Sequence, residues 1–225
     1  MVFAANTTTG STGIVIDGDK NTVSSSNSVT LGNEISSLGG ANVAIGYKSK
    51  AGNQENPKGP NTANGATAVG TGSQAVNYRA TALGDYTVAS GEDSLGLGTT
   101  AQATGDRSIS AGLSSQASGV NAIAIGDKAV SSSNDSVAIG EKASATNSQS
   151  IAIGSTSSSS GSYSVAIGLS AKATDDWSVA LGNSSETSKA VSTGTMTVGG
   201  KTYTTAGRSA TGTSSARLRM LQPAV

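Results

Sequence analysis

Apolar and polar positions along this chain fall into a phrase that recurs at a fixed interval. "NDSVAIGEKASATNSQSIAIGSTSSSSGSYSVAIG", residues 134–168, contains it three times. The phrase closes on Gly18, Gly32, Gly46, Gly70, Gly84, Gly98, Gly112, Gly126, Gly140, Gly154, Gly168 and Gly182, always 14 residues apart except for a step of 24 between Gly46 and Gly70. From Gly32 onward, one residue before the Gly stands an aliphatic side chain (Leu31, Ile45, Val69, Leu83, Leu97, Ile125, Ile139, Ile153, Ile167, Leu181), with Ala111 the exception. Three before it stand Val29, Val43, Leu95, Ile109, Ile123, Val137, Ile151, Val165 and Val179, with Thr67 and Thr81 completing the column. Apolar, small, apolar in steps of two is strand periodicity, and β-branched content favours strand over helix. The Gly permits the positive φ of a tight corner.

Three and five residues after the Gly come small residues, as in Ser49/Ala51, Ala101/Ala103, Ala143/Ala145 and Ala171/Ala173. They read as a second short strand facing the first across a narrow interior. Each 14-residue unit then divides into two strands of about five residues and two corners of about two, a flattened coil. Twelve coils stacked at about 4.8 Å make a rod roughly 55 to 60 Å long. In this reading the Val and Ile of the phrase are buried wall. The long step reflects an insertion of ten residues near 52–61, "GNQENPKGPN" at its heart, a loop that could carry recognition.

The pattern divides the chain into an N-terminal lead-in or cap (1–13), a roll (14–187), a hairpin-like or neck-like segment (188–212) and a tail (213–225). Within 194–207, "GTMTVGGKTYTTAG" alternates around Gly199-Gly200 as a β-hairpin does. The tail, "SSARLRMLQPAV", reads either as the start of a next domain or as vector-derived residues.

Composition narrows what such a rod can do. The chain has 225 residues, no Cys, no His, one Trp and one Phe, and 14 basic against 14 acidic residues. No thiolate and no imidazole are available, which removes the commonest nucleophile, general base and metal ligands. The expectation is a protein that is no enzyme, with no cofactor and no metal. All the acids lie at or before Glu186, and Lys189, Lys201, Arg208, Arg217 and Arg219 follow it. Five charges over that length form no nucleic-acid footprint. No apolar run reaches membrane-spanning length, so no membrane contact is expected of this segment. "MVFAAN" lacks the features of a signal peptide, so an exported parent would make this chain a mature fragment.

The phrases "NSVTLGNEIS", "NVAIGYKSKA", "DSVAIGEKAS", "YSVAIGLSAK" and "WSVALGNSSE" resemble the head repeats of YadA-like trimeric autotransporter adhesins over about residues 14–187. The resemblance implies an all-β, left-handed parallel β-roll with 14-residue coils, assembled as a homotrimer. It implies a non-enzymatic bacterial adhesin head on the outer face of the outer membrane, carried by a stalk and anchor. Extracellular matrix protein (collagen, fibronectin, laminin) or another surface is the implied partner. A collagen-binding phrase attributed to the prototype, Asn-Ser-Val-Ala-Ile-Gly-x-x-Ser, has no full copy: Thr30 and Leu31 replace Ala-Ile after Asn27, and Trp177 replaces Asn before Ser178. A phage tail fibre or spike module is the alternative reading. A hexapeptide acyltransferase helix is disfavoured by the period and by the absence of His.

A buried aliphatic cannot also contact a partner, so the ligand-binding candidates are the filler held outward: Tyr47, Lys48, Tyr78, Arg79, Tyr86, Glu141, Lys142, Tyr163 and Trp177. Aromatics are scarce on this chain and over-represented at binding hot spots generally.

Overall fold

A computed structural model describes residues 7–8, 14–16, 20–23, 27–52, 65–188, 195–198 and 201–204. Within them the chain winds as an all-β parallel solenoid. Every coil contributes one three-residue strand to a wide sheet, running from Ile14–Ile16 to Val179–Leu181, and one two-residue strand to a narrow sheet, from Thr7–Thr8 to Lys172–Ala173. Each sheet has twelve strands in sequence order, all parallel. The strands are shorter than the five residues expected from alternation, because the corners take up most of each coil.

The ladders run along the rod axis. Val137 N–H donates to the Ser150 carbonyl on the wide sheet at 2.9 Å, and Ser144 N–H to Ser157 on the narrow sheet at 2.9 Å. Corners are laddered too: the Gly140 and Lys142 amides reach back to the carbonyls of Ile125 and Asp127, each at 2.8 Å. This continuity accounts for the backbone polar groups of a chain with a small core.

Four columns fill the interior. In one coil they are Ser136, Ala138, Ala143 and Ala145, all fully buried. The two sheets lie so close that Ala, Ser and Thr are the usual occupants, and among the described residues the only buried side chains as large as Val are Val23 and Ile35 near the N-terminal end. Inward hydroxyls pair with one another, as in Ser131–Ser136 at 2.6 Å and Ser110–Ser115 at 2.7 Å.

This corrects the expectation that the aliphatics are buried. In Val137–Ile139 and Ile151–Ile153 only the middle Ala is buried, and the flanking residues point away from the interior. Val29, Leu31, Leu97, Ile125, Ile167, Val179 and Leu181 rank among the exposed large side chains. The cause is volume: alternation puts both flanking residues on one face, and the interior has room only for the small residue between them.

The corner glycines from Gly32 to Gly182 all take positive φ, between 112° and 141°. At Gly140 an added Cβ would lie 2.6 Å from the Gly154 backbone, so close approach of successive coils demands Gly as much as φ does. Gly18 itself lies outside the described residues. Ile16 pairs with Leu31, while Thr22 pairs with Ser36. One residue more separates Ile16 from Thr22 in sequence than separates Leu31 from Ser36.

Val43 pairs directly with Thr67, so the extra ten residues leave the ladder without breaking it. Residues 53–64 of that insertion lie outside the described residues, as do the tail and most of 1–13. A separate antiparallel hairpin joins Thr195–Val198 to Lys201–Thr204, with Val198 opposite Lys201.

Candidate functional site

The nine outward candidates all sit in corners, on two opposite edges of the roll. One edge turns from the wide to the narrow sheet and carries Tyr47, Lys48, Tyr86, Glu141 and Lys142; the other turns back and carries Tyr78, Arg79, Tyr163 and Trp177. Each corner places one residue in left-handed backbone, among them Lys48, Arg79, Tyr86, Lys142, Tyr163 and Trp177 at φ between 49° and 61°. Bulky residues rarely adopt this conformation. Ladder bonds impose it here: Tyr163 N–H donates to the Ser148 carbonyl at 3.0 Å and Trp177 N–H to Ser162 at 2.9 Å.

Left-handed residues of successive coils stack directly, so the corners form side-chain ladders. Arg79 forks onto Asp93 in the next coil, with Nη2 to Oδ2 at 2.7 Å and its Nε on Oδ1. Its guanidinium also lies 4.5 Å from the Tyr78 ring centroid. The hydrogen bond from Arg79 holds the Asp93 carboxyl below its usual pKa, and the same bond raises Arg79. Arg107 reaches Asn121 at 2.8 Å, and Asn121 reaches Asp135 at 2.8 Å. Asp85, Asp106, Asn134 and Asp176 each accept a backbone N–H from the coil before.

The candidates thus separate into small clusters. Lys48 lies 4.9 Å from the centroid of Tyr47 and 3.6 Å from Glu34. Hydrogen bonding and charge from Tyr47, with the Glu34 carboxylate, raise the Lys48 pKa. Lys142 donates to Glu141 at 2.6 Å, lowering the acid and raising the base. Tyr86 lays its ring against Gly72 of the preceding coil, where an added Cβ would meet it at 2.8 Å. Tyr163 and Trp177 stack with centroids 4.1 Å apart and planes 3° apart. Tyr47 and Trp177 are nine coils apart, roughly 43 Å along the axis, so no single pocket unites the set. Among the described residues no group of three or more Asp, Glu, His or Cys could hold a metal.

Sequence reasoning missed the outward face of the wide sheet. Two aliphatic or small columns run its whole length, broken mainly by Thr67, Thr81 and Ala111. Leu113 and Leu169, half-exposed just past their corner glycines, widen it. The signal lay in tolerance. From Thr30 on, the column between the aliphatics (Thr30, Ala44, Ala68, Ala82, Gly96, Ser110, Ala124, Ala138, Ala152, Ala166, Ala180) never exceeds Thr, whereas its neighbours range from Ala to Leu and Ile. The strict column is the confined one.

The family model described as "YadA head domain repeat (2 copies)" matches this chain at residues 62–87, 89–115, 103–129, 117–143, 131–157 and 159–185. A crystal structure of the collagen-binding domain of the Yersinia adhesin YadA is 30% identical over 48% of this chain and 61% of that one, with a TM-score of 0.43. No curated protein matches the chain. The matched repeats take in more than half of the sequence and coincide with the coils whose interior columns and corners are described above, so the chain belongs to the YadA head-repeat family.

Proposed function

We propose that this chain is the adhesive head of a bacterial cell-surface adhesin. Three copies pack through the aliphatic face of the wide sheet and present the corner ladders outward, attaching to extracellular matrix or another surface without catalysis. Family membership supports the adhesive role, and the outward aliphatic face is the observation that carries the assembly. Its exposed Val, Leu and Ile side chains form a continuous outward stripe, and contiguous apolar patches beyond about a few hundred Å² on soluble proteins mark interaction sites. Two interfaces per protomer in a closed three-fold arrangement cover that face completely.

Assembly multiplies weak contacts. Three copies repeat each corner cluster around the axis, and avidity can raise modest affinities by about 10² to 10⁴. Collagen, fibronectin and laminin are the matrix partners to examine, with abiotic surfaces beside them. The test is adhesion of the folded assembly, with its mass fixed by light scattering. Retention on at least one immobilised matrix protein and a mass of three chains are expected. A folded sample that adheres to none leaves the segment a spacer, and a folded monomer at micromolar concentration removes the trimer.

A further inference from the structure

We propose that the stacked Tyr163–Trp177 pair is a binding platform for a neutral glycan, a subsite that rests on the adhesive reading above and gives it a ligand class. The corner edge that carries it changes character along the rod. From Arg79 to Asp135 its left-handed positions hold polar side chains, and Arg79 with Asp93 and Arg107 with Asn121 and Asp135 are spent on one another. The next three coils differ: Gln149, Tyr163 and Trp177 occupy the same positions. The Gln149 side chain is exposed and has no hydrogen-bond partner among the described residues.

Left-handed backbone suits Asn and Asp and is sparsely populated by aromatic residues. Here two consecutive coils bear it, and the rings stack at 4.1 Å and 3° while leaving Trp177 67% exposed. Stacking covers one face of the indole, so the exposure lies on the rest of the residue. A ring face carries negative quadrupole charge, which matches the polarised C–H face of a pyranose.

The surroundings favour sugar over protein. A protein hot spot sits in an apolar, water-excluding ring of contacts. Around this pair stand Gln149, Ser162, Asp175 and Asp176 instead. Asp176 is engaged with the Ser162 amide at 2.8 Å, whereas the Asp175 carboxylate has no partner among the described residues. Gln149 precedes Tyr163 in the corner stack and Asp175 lies two residues before Trp177, an amide and a carboxylate of the kind that hold sugar hydroxyls while a ring holds the C–H face. The three corner triplets, residues 147–149, 161–163 and 175–177, contain two carboxylates and no cation, which disfavours anionic sugars.

Trp177 is the only tryptophan, so its fluorescence reports this position alone. The full assembled chain is titrated with triacetylchitotriose, lactose and maltotriose, and saturation-transfer NMR is recorded on the same samples. A saturable emission change with at least one sugar is expected, together with loss of saturation transfer in Trp177→Ala and in Tyr163→Ala. Trp177→Phe retains binding, and Gln149→Ala weakens it by about tenfold, a hot-spot-sized effect. Absence of any response to all three sugars overturns the proposal, as does undiminished sugar binding by folded Trp177→Ala. Adhesion to matrix proteins, measured in parallel, separates the two readings. Adhesion that persists without sugar binding sinks the glycan platform alone, and sugar binding without matrix adhesion sinks the matrix reading alone. Loss of matrix adhesion in Trp177→Ala with no sugar response assigns the pair to a protein contact and overturns the glycan.

Discussion

The two sheets of the roll share one ladder geometry and one interior, yet their outward columns differ sharply. The narrow sheet shows Lys50, Gln74, Val88, Gln102, Gln116, Val130, Ser144, Ser158 and Lys172 to the outside; the wide sheet shows paired Val, Ile and Leu. The fold of the single chain therefore does not need the aliphatics, since small residues and backbone hydrogen bonds fill the inside of both walls. In the assembly proposed above, what the aliphatics serve is association. A sequence read as one core plus decoration is better read as an inner code of small side chains and an outer code of partners.

The contrast breaks most visibly at the inner code. Ala152→Leu forces three further carbon atoms into an interior that excludes them, and Gly140→Ala drives a Cβ to 2.6 Å from the next coil's backbone at a φ of 132°. Each should destabilise by about 3 kcal/mol or more, read as a fall in the midpoint of chemical denaturation. On the outer code, Ile139→Lys with Ile153→Lys should leave the coil folded by circular dichroism but reduce the light-scattering mass to one chain. The matched control, Gln102→Lys with Gln116→Lys on the narrow sheet, should leave the mass unchanged. Equal behaviour of the two pairs would abolish the distinction between the faces.

A finer comparison concerns Gly96, which stands where other coils have Ala or Ser. Its missing Cβ makes room for the Thr87 methyl, 2.8 Å from where that Cβ would be. Gly96→Ala should destabilise by about 1 kcal/mol and the double variant with Thr87→Ser should recover most of it, a coupling that a denaturation cycle measures. The smallest effect belongs to the corners. Because Arg79 depresses the Asp93 pKa, the pair's contribution is fully present at neutral pH and is lost as pH falls through that lowered value, below the usual carboxylate range. Both side chains are solvent-exposed, so Asp93→Asn should only slightly flatten the acid limb of the thermal melting profile.

The period, the parallel coils, the hairpin around Gly199-Gly200 and the long step between Gly46 and Gly70 were legible in the residues, because a ladder of equal rungs leaves an equal spacing in sequence. The facing of the wide sheet was not. Period-two alternation says that Val137 and Ile139 share a side and that Ala138 takes the other; it carries no sign for which side is inside. Hydrophobicity suggests one choice, and the separation of the two walls enforces the opposite. The outward candidates were placed in corners by elimination, but the pairing of Tyr163 with Trp177 needed the stacking of coils to become visible.

Register has one more consequence. Since Val137 lies over Ile151 as Ile123 lies over Val137, removing a complete unit such as residues 127–140 brings together rungs of the same kind on both walls and both edges. The rod can be lengthened or shortened in whole steps, like a ruler cut only at its gradations. Sequence change by duplication or loss of units thereby alters how far the tip stands from its base while leaving the cross-section, and whatever docks against it, intact.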